Sequence, residues 1–181
     1  MRMFYLSSCP VCEGKVSDEE LIERGVCRNC SQSKNLKDLF GINEKIKEFE
    51  NFFKENFGFE LINIQKNWLV KFFKNKSFAI IAPTGMGKST FGIALCIYLA
   101  LKGKKSYFIT LTSVLVKNIY DRMRKILDKN NLDVKIACYS TQLTEKEKKE
   151  NLEKISNGNF QVLITTERFL SNNFEILKDK D

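Results

Sequence analysis

Residues 77–92 read SFAIIAPTGMGKSTFG, and no other stretch of the chain restricts its fold so severely. A run of small and apolar residues breaks into Gly85 and Gly87, then presents Lys88 followed by the hydroxyls of Ser89 and Thr90. The apolar run from Ser77 to Ala82 predicts a buried strand, and the pattern from Lys88 onward predicts a helix. Ala82-Pro83-Thr84-Gly85-Met86-Gly87-Lys88-Ser89 has the spacing of a Walker A loop, with alanine in place of the first glycine. The glycines permit backbone angles and close approach that a side chain would block, so successive N–H groups can surround phosphates. On this reading Lys88 reaches the β and γ phosphates, Ser89 ligates Mg²⁺, and the helix N-terminus adds to the anion field. A glycine-rich turn with a surface lysine is the alternative. It leaves the strand before and the helix after unexplained.

Downstream the chain alternates. Short apolar runs at Lys105–Thr110, Asp133–Tyr139 and Phe160–Thr165 read as buried strands, each followed by an amphipathic helical stretch. Thr144-Glu-Lys-Glu147 is a capping box for one of those helices, and Gly158 marks its far end. Strands alternating with helices imply an α/β fold with a parallel sheet, in which anions bind beyond the carboxyl ends of the strands. Upstream, Leu36 to Phe57 reads as one helix with Ile42, Ile46, Phe49, Phe53 and Phe57 on a stripe. Asn63 can cap a second helix carrying Gln65, Trp68, Leu69, Phe72 and Phe73. The expected organisation is a zinc ribbon at 1–35, a helical lead-in at 36–76 and a P-loop α/β domain at 77–181.

Cys9-Pro-Val-Cys12 and Cys27-Arg-Asn-Cys30 supply four thiolates in two tight turns, as tetrahedral zinc requires. Gly14 allows the chain to bend back beneath the metal, where amides can donate to sulfur. Between the pairs, Ser17-Asp-Glu-Glu20 reads as a capping box whose helical turn Gly25 ends. A redox dithiol or two structural thiol pairs are the alternatives; neither needs two CxxC units so close together. A segment this short buries little core, so the metal supplies much of its folding free energy. Cys96 and Cys138 sit in apolar settings and read as core thiols.

Lysine and arginine outnumber aspartate and glutamate by 8, and histidine is absent, so the chain stays cationic across neutral pH and attracts polyanions such as DNA. No window is apolar enough to span a bilayer, and the start MRMFYLSSCPVC lacks the apolar core of a secretory signal, so a cytoplasmic protein without a membrane partner is expected.

The segment Ser77–Gly92 resembles the Walker A region of the reverse gyrase family, in which a superfamily 2 helicase module is joined to a type IA topoisomerase that introduces positive supercoils. The likeness extends over nearly the whole chain. The cysteine pairs resemble that family's N-terminal zinc finger, and Gln65 and Trp68 fall where its adenine-reading Q-type segment lies. Thr112-Ser-Val-Leu-Val-Lys117 resembles motif Ia, and Leu163-Ile-Thr-Thr-Glu-Arg-Phe-Leu170 resembles the later DNA-contacting motif of the same RecA-like domain.

The resemblance implies a partial RecA-like domain that binds ATP with Mg²⁺ through Pro83, Thr84, Gly85, Met86, Gly87, Lys88, Ser89 and Thr90. Gln65 would present donor and acceptor to the adenine edge. Phe57 or Phe59 could stack on the base, with core packing as the alternative. Cys9, Cys12, Cys27 and Cys30 would hold Zn²⁺. Thr112, Ser113, Thr165 and Thr166, with Lys117 and Arg168, would hold successive DNA phosphates, unless their hydroxyls serve only as helix caps.

The pattern is also incomplete. Superfamily 2 helicases need a Walker B acidic motif and arginines from a second RecA-like domain, and type IA topoisomerases need a tyrosine nucleophile. None is expected in this segment, since Asp179 and Asp181 fall in a charged tail. The expectation is therefore an N-terminal piece whose partner is the rest of the enzyme, inactive alone, and weakly stable, associating or awaiting a complementary chain. A different superfamily 2 helicase, or a non-catalytic zinc-containing DNA-binding module, are the alternatives.

Overall fold

The computed structural model describes residues 4–6, 8–9, 12–31, 37–173 and 175. Leu36, Asp179 and Asp181 lie outside them. The chain packs as two units, Met1–Pro83 and Thr84–Asp181.

In the first unit, strands β1 (Phe4–Tyr5) and β2 (Val16–Ser17) pair antiparallel, with Phe4 opposite Ser17 and Tyr5 opposite Val16. Helix α1 (Asp18–Arg24) starts where β2 ends, because Ser17 and Glu20 satisfy each other's backbone. The Ser17 hydroxyl accepts the Glu20 N–H, and the Glu20 carboxylate accepts the Ser17 N–H at 2.9 Å. Gly25, at φ 68°, ends the helix in the left-handed region as its sequence position indicates. A short helix α2 (Arg28–Ser31) carries the last cysteine.

Helix α3 (Lys37–Phe57) sinks Phe49 and Phe53 completely, while Ile42, Ile46 and Phe57 are half-buried. The Phe53 and Phe57 rings stack at 4.8 Å, so the aromatic stripe is core. Helix α4 (Asn63–Phe73) packs on α3 and buries Trp68 and Leu69. Its cap differs from expectation: Ile62 is the N-cap and Asn63 the first helical residue. Ile62 has no side-chain acceptor, and the Gln65 Oε1 accepts the Ile62 N–H at 3.2 Å.

The second unit runs α5 (Lys88–Leu101), β3 (Ser106–Thr110), α6 (Ser113–Lys129), β4 (Ile136–Tyr139), α7 (Glu145–Ser156), β5 (Val162–Thr166) and α8 (Glu167–Asn172). The sheet is parallel with order β3-β5-β4: Tyr107 lies opposite Leu163, and Ala137 opposite the same residue on the other side. Parallel pairs need helical crossovers, and helices cover the sheet, so β5 is apolar without alternation. Its Val162, Leu163, Ile164 and Thr165 are all buried. Helix α6 buries Val116, Ile119, Met123 and Leu127, a 3–4 residue stripe. On α5, a Cβ added at Gly92 would lie 3.0 Å from Phe108 of β3, so glycine sets how closely helix and strand approach. The α7 capping box forms at Thr144 and Glu147, and Gly158 adopts φ 65° just beyond it. Cys96 and Cys138 are buried.

The expected strand at Ser77–Ala82 is irregular instead, and Ile81 is 95% exposed. An apolar run becomes a strand only where a neighbour supplies ladder partners. Among the described residues β5 pairs with β3 and β4, and no strand pairs with 77–82. Among the described residues no helix is long and apolar enough to cross a membrane.

Leu163 is fully buried in the central strand, so Leu163→Ala removes packing on both sides and is expected to cost about 2–5 kcal/mol, read as a lower urea midpoint. Leu111 is 85% exposed, and Leu111→Ala should change the unfolding free energy by no more than about 0.5 kcal/mol.

Candidate nucleotide, nucleic-acid and metal sites

The glycine-rich turn leads directly into α5. Gly85 has φ 90° and Gly87 φ 74°, a region closed to most side chains. An added Cβ at Gly85 meets nothing within 4 Å, so conformation rather than space demands glycine there. Gly87 is the N-cap of α5, and its carbonyl accepts the Phe91 N–H at 2.8 Å. No acidic residue occupies the first turn of α5, so the positive end of the helix dipole is not cancelled locally. Thr84, Gly85 and Ser89 are exposed, whereas Met86, Lys88 and Thr90 are half-buried. Thr90 Oγ1 accepts a hydrogen bond from the Arg122 guanidinium at 2.9 Å. Pro83, exposed, is the last residue of the first unit. Gln65, within that first unit, is 4% exposed and occupied in capping α4.

The remaining polar candidates gather at the carboxyl edge of the sheet because parallel pairing ends all three strands on the same side. Thr110 and Thr166 are opposite one another in the β3–β5 ladder. Thr112 caps α6, its hydroxyl accepting the Leu115 N–H, and Thr166 caps α8, accepting from Phe169. Each cap uses the hydroxyl oxygen as acceptor and leaves the O–H available as a donor, so capping does not preclude a phosphate contact. Ser113 Oγ lies 2.9 Å from Thr141 Oγ1, tying α6 to the segment after β4. Lys117 and Arg168 are exposed. Thr165 stands apart: it is fully buried, and its hydroxyl donates to the Tyr139 carbonyl at 3.1 Å. Sequence reasoning missed Thr141 and Arg122. Thr141 had a usable signal, a hydroxyl just past a strand, but Arg122 lies mid-helix, and only tertiary packing brings it to Thr90.

The four cysteine sulfurs of Cys9, Cys12, Cys27 and Cys30 all lie within 4.8 Å of one another. Cys12 and Cys27 are 3.7 Å apart, close to the ~3.8 Å edge of a tetrahedron with Zn–S bonds of about 2.3 Å. The Cys27 N–H points to Cys9 Sγ and the Gly14 N–H to Cys12 Sγ, each at 3.4 Å, amide donors of the kind that stabilise thiolate. The bend itself falls on Glu13, at φ 58°, and Gly14 is needed for a different reason: a Cβ there would lie 3.1 Å from Cys12 Sγ. Burial pushes the Cys27 and Cys30 thiols up from their ordinary range. The donor set fits a soft, tetrahedral ion, and an entering ion must displace protons from these thiols.

A glycine turn at a helix start beside a parallel sheet, with hydroxyls at its strand ends, defines a P-loop type α/β protein. Residues 62–180 match the DEAD/DEAH box helicase family, and the chain belongs to that family. It is 42% identical to reverse gyrase of Methanocaldococcus jannaschii over 94% of its own length and 12% of that protein's. Reverse gyrase of Pyrococcus furiosus is 38% identical over 99% of the chain and 17% of the relative. Reverse gyrase 1 of Aquifex aeolicus is 38% identical over 93% and 16%. The chain thus spans less than a fifth of the length of these relatives.

Chelation is expected to abolish hydrogen-exchange protection in residues 4–31 while leaving β5 protected, as mass spectrometry of peptide fragments can resolve. Because the thiols must lose protons, apparent Zn²⁺ affinity should fall about tenfold or more per unit as pH drops below neutrality, measured by competition with a chromogenic chelator.

Proposed function

We propose that the chain is the N-terminal ATP- and DNA-binding part of an ATP-dependent type IA topoisomerase of the reverse gyrase kind, which introduces positive supercoils. The observation that carries this reading is the likeness of 93–99% of the chain to proteins called reverse gyrase, so that it spans both units rather than the helicase-like part alone. A helicase alone accounts for residues 62–180 only.

In this proposal Pro83 to Thr90 enclose the triphosphate, with Lys88 on the β and γ phosphates and Ser89 on Mg²⁺. Zn²⁺ sits on Cys9, Cys12, Cys27 and Cys30. Thr112, Ser113 and Thr166, with Lys117 and Arg168, contact the DNA backbone, while Thr165 holds the strand end from below. The rest of the enzyme supplies the second RecA-like domain, whose arginines stabilise the transferred phosphoryl group, and the DNA-cleaving tyrosine. The 181 residues alone therefore bind nucleotide with little or no turnover.

Titration calorimetry with ADP and Mg²⁺ tests the loop: Lys88→Ala should weaken binding at least about tenfold, since it removes a charge-assisted contact worth roughly 1.5–3 kcal/mol. DNA binding intact in a protein with no affinity for ATP or ADP would favour a non-catalytic DNA-binding module instead. Single-stranded DNA affinity should fall steeply with salt, and Lys117→Ala and Arg168→Ala should each reduce the slope of log K against log salt by about 0.7. An unchanged slope in both variants removes these two residues from the DNA site.

A further inference from the structure

One side-chain bond joins the two proposed sites of the second unit. Arg122, on α6, donates to Thr90 Oγ1 in the first turn of α5 at 2.9 Å. The partners are 32 residues apart in sequence, and each belongs to a helix whose N-terminus carries a different task. Thr90 lies two residues past Lys88 in the phosphate loop. Arg122 lies nine residues past Ser113, roughly 13 Å along a helix rising about 1.5 Å per residue.

Helix α6 is held so that movement at its start must reach Arg122. Its apolar stripe, Val116, Ile119, Met123 and Leu127, is buried, and its N-terminal turn is tied to the end of β4 through Ser113 and Thr141. The Ser140 hydroxyl also reaches the Ser113 carbonyl, at 3.4 Å. A packed helix shifts as a unit rather than bending freely. Displacement at Thr112 and Ser113 therefore changes the reach of the guanidinium to Thr90.

We propose that Arg122 is a positioning residue that couples DNA contact at the N-terminus of α6 to phosphate binding at the first turn of α5, through its hydrogen bond to Thr90. The inference rests on the functional reading above for both ends of the link. Arg122 touches neither ligand. Its substitution changes how strongly one ligand alters affinity for the other, and leaves nucleotide affinity without DNA nearly intact. By linkage the effect is reciprocal.

The test measures the ADP–Mg²⁺ affinity of the chain with and without saturating single-stranded oligonucleotide at one salt concentration. The wild type is expected to show coupling in the usual range, about 5- to 150-fold. Arg122→Met should bring that factor close to one while changing DNA-free ADP affinity by less than about twofold, and Arg122→Lys, which keeps a donor for Thr90, should restore part of it. In Thr90→Val, which loses the acceptor, adding Arg122→Met should reduce coupling no further. A role confined to holding α5 and α6 together would lower the melting temperature without moving the coupling factor, and that result overturns the inference. So does a wild type that binds both ligands without coupling. A wild type that binds no ADP or no oligonucleotide overturns the functional reading, and the inference with it.

Discussion

The parallel ladder that sets β5 between β3 and β4 is the constraint on which the second unit depends. Antiparallel strands would send alternate ends to opposite edges; parallel ones send every carboxyl end to a single edge. Thr110, Tyr139 and Thr166 therefore end their strands together, and the polar segments that follow, Thr112–Ser113, Ser140–Thr141 and Glu167–Arg168, emerge side by side. The helices that make the crossovers start at this edge, so their unsatisfied amides face the same direction. Charge and hydrogen-bond donors concentrate there because of connectivity, before any particular ligand is considered.

The cysteine module answers a different constraint, the shortage of apolar residues. Its core consists of Val16 and Val26 with Cys9, Cys27 and Cys30, helped by Tyr5 and Leu21. A fully buried valine contributes about 1.5–3 kcal/mol, whereas ordering each residue of backbone costs about 1–2 kcal/mol. Two valines cannot offset a segment of this length. The balance shifts only when the four sulfurs are held by an ion. The same burial that raises the thiols when no ion is bound makes the module dependent on the metal for its shape.

Much of this was legible in the sequence because the informative residues act locally. Ser17 with Glu20 and Thr144 with Glu147 form their boxes within one turn, and Gly25 and Gly158 adopt positive φ at the helix ends where composition places them. The four cysteines lie close in the chain, and their spacing almost dictates a cluster. Most of the misses are non-local. The run 77–82 has the composition of a strand, but pairing depends on a neighbour that composition does not reveal. Asn63 looks like a cap, yet the chain enters α4 one residue earlier because Gln65 serves the Ile62 amide. Thr165 and Thr166 are chemically equivalent in sequence, and only the two-sided pairing of β5 shows that one hydroxyl points into the sheet interior and the other caps a helix.

That difference between adjacent threonines also explains why hydroxyls, rather than charged groups, suit the strand ends. A lysine at position 165 would have to bury its charge where Thr165 is fully buried, a cost of several kcal/mol. Threonine satisfies its single donor on the Tyr139 carbonyl and keeps β-branched packing along the strand. One step later the chain leaves the sheet, and Thr166 uses its oxygen to satisfy an α8 amide while its O–H remains available as a donor. Exposed cations then follow within two to five residues, at Lys117 after Thr112 and at Arg168 after Thr166. Long side chains there keep their charge in water and reach outward, so the short hydroxyls fix position close to the backbone and the cations supply range. An edge organised in this way suits an extended polyanion better than a compact one, because its donors are spread over successive strand ends. A compact anion is matched instead by a glycine turn at a helix start, where successive backbone N–H groups can converge.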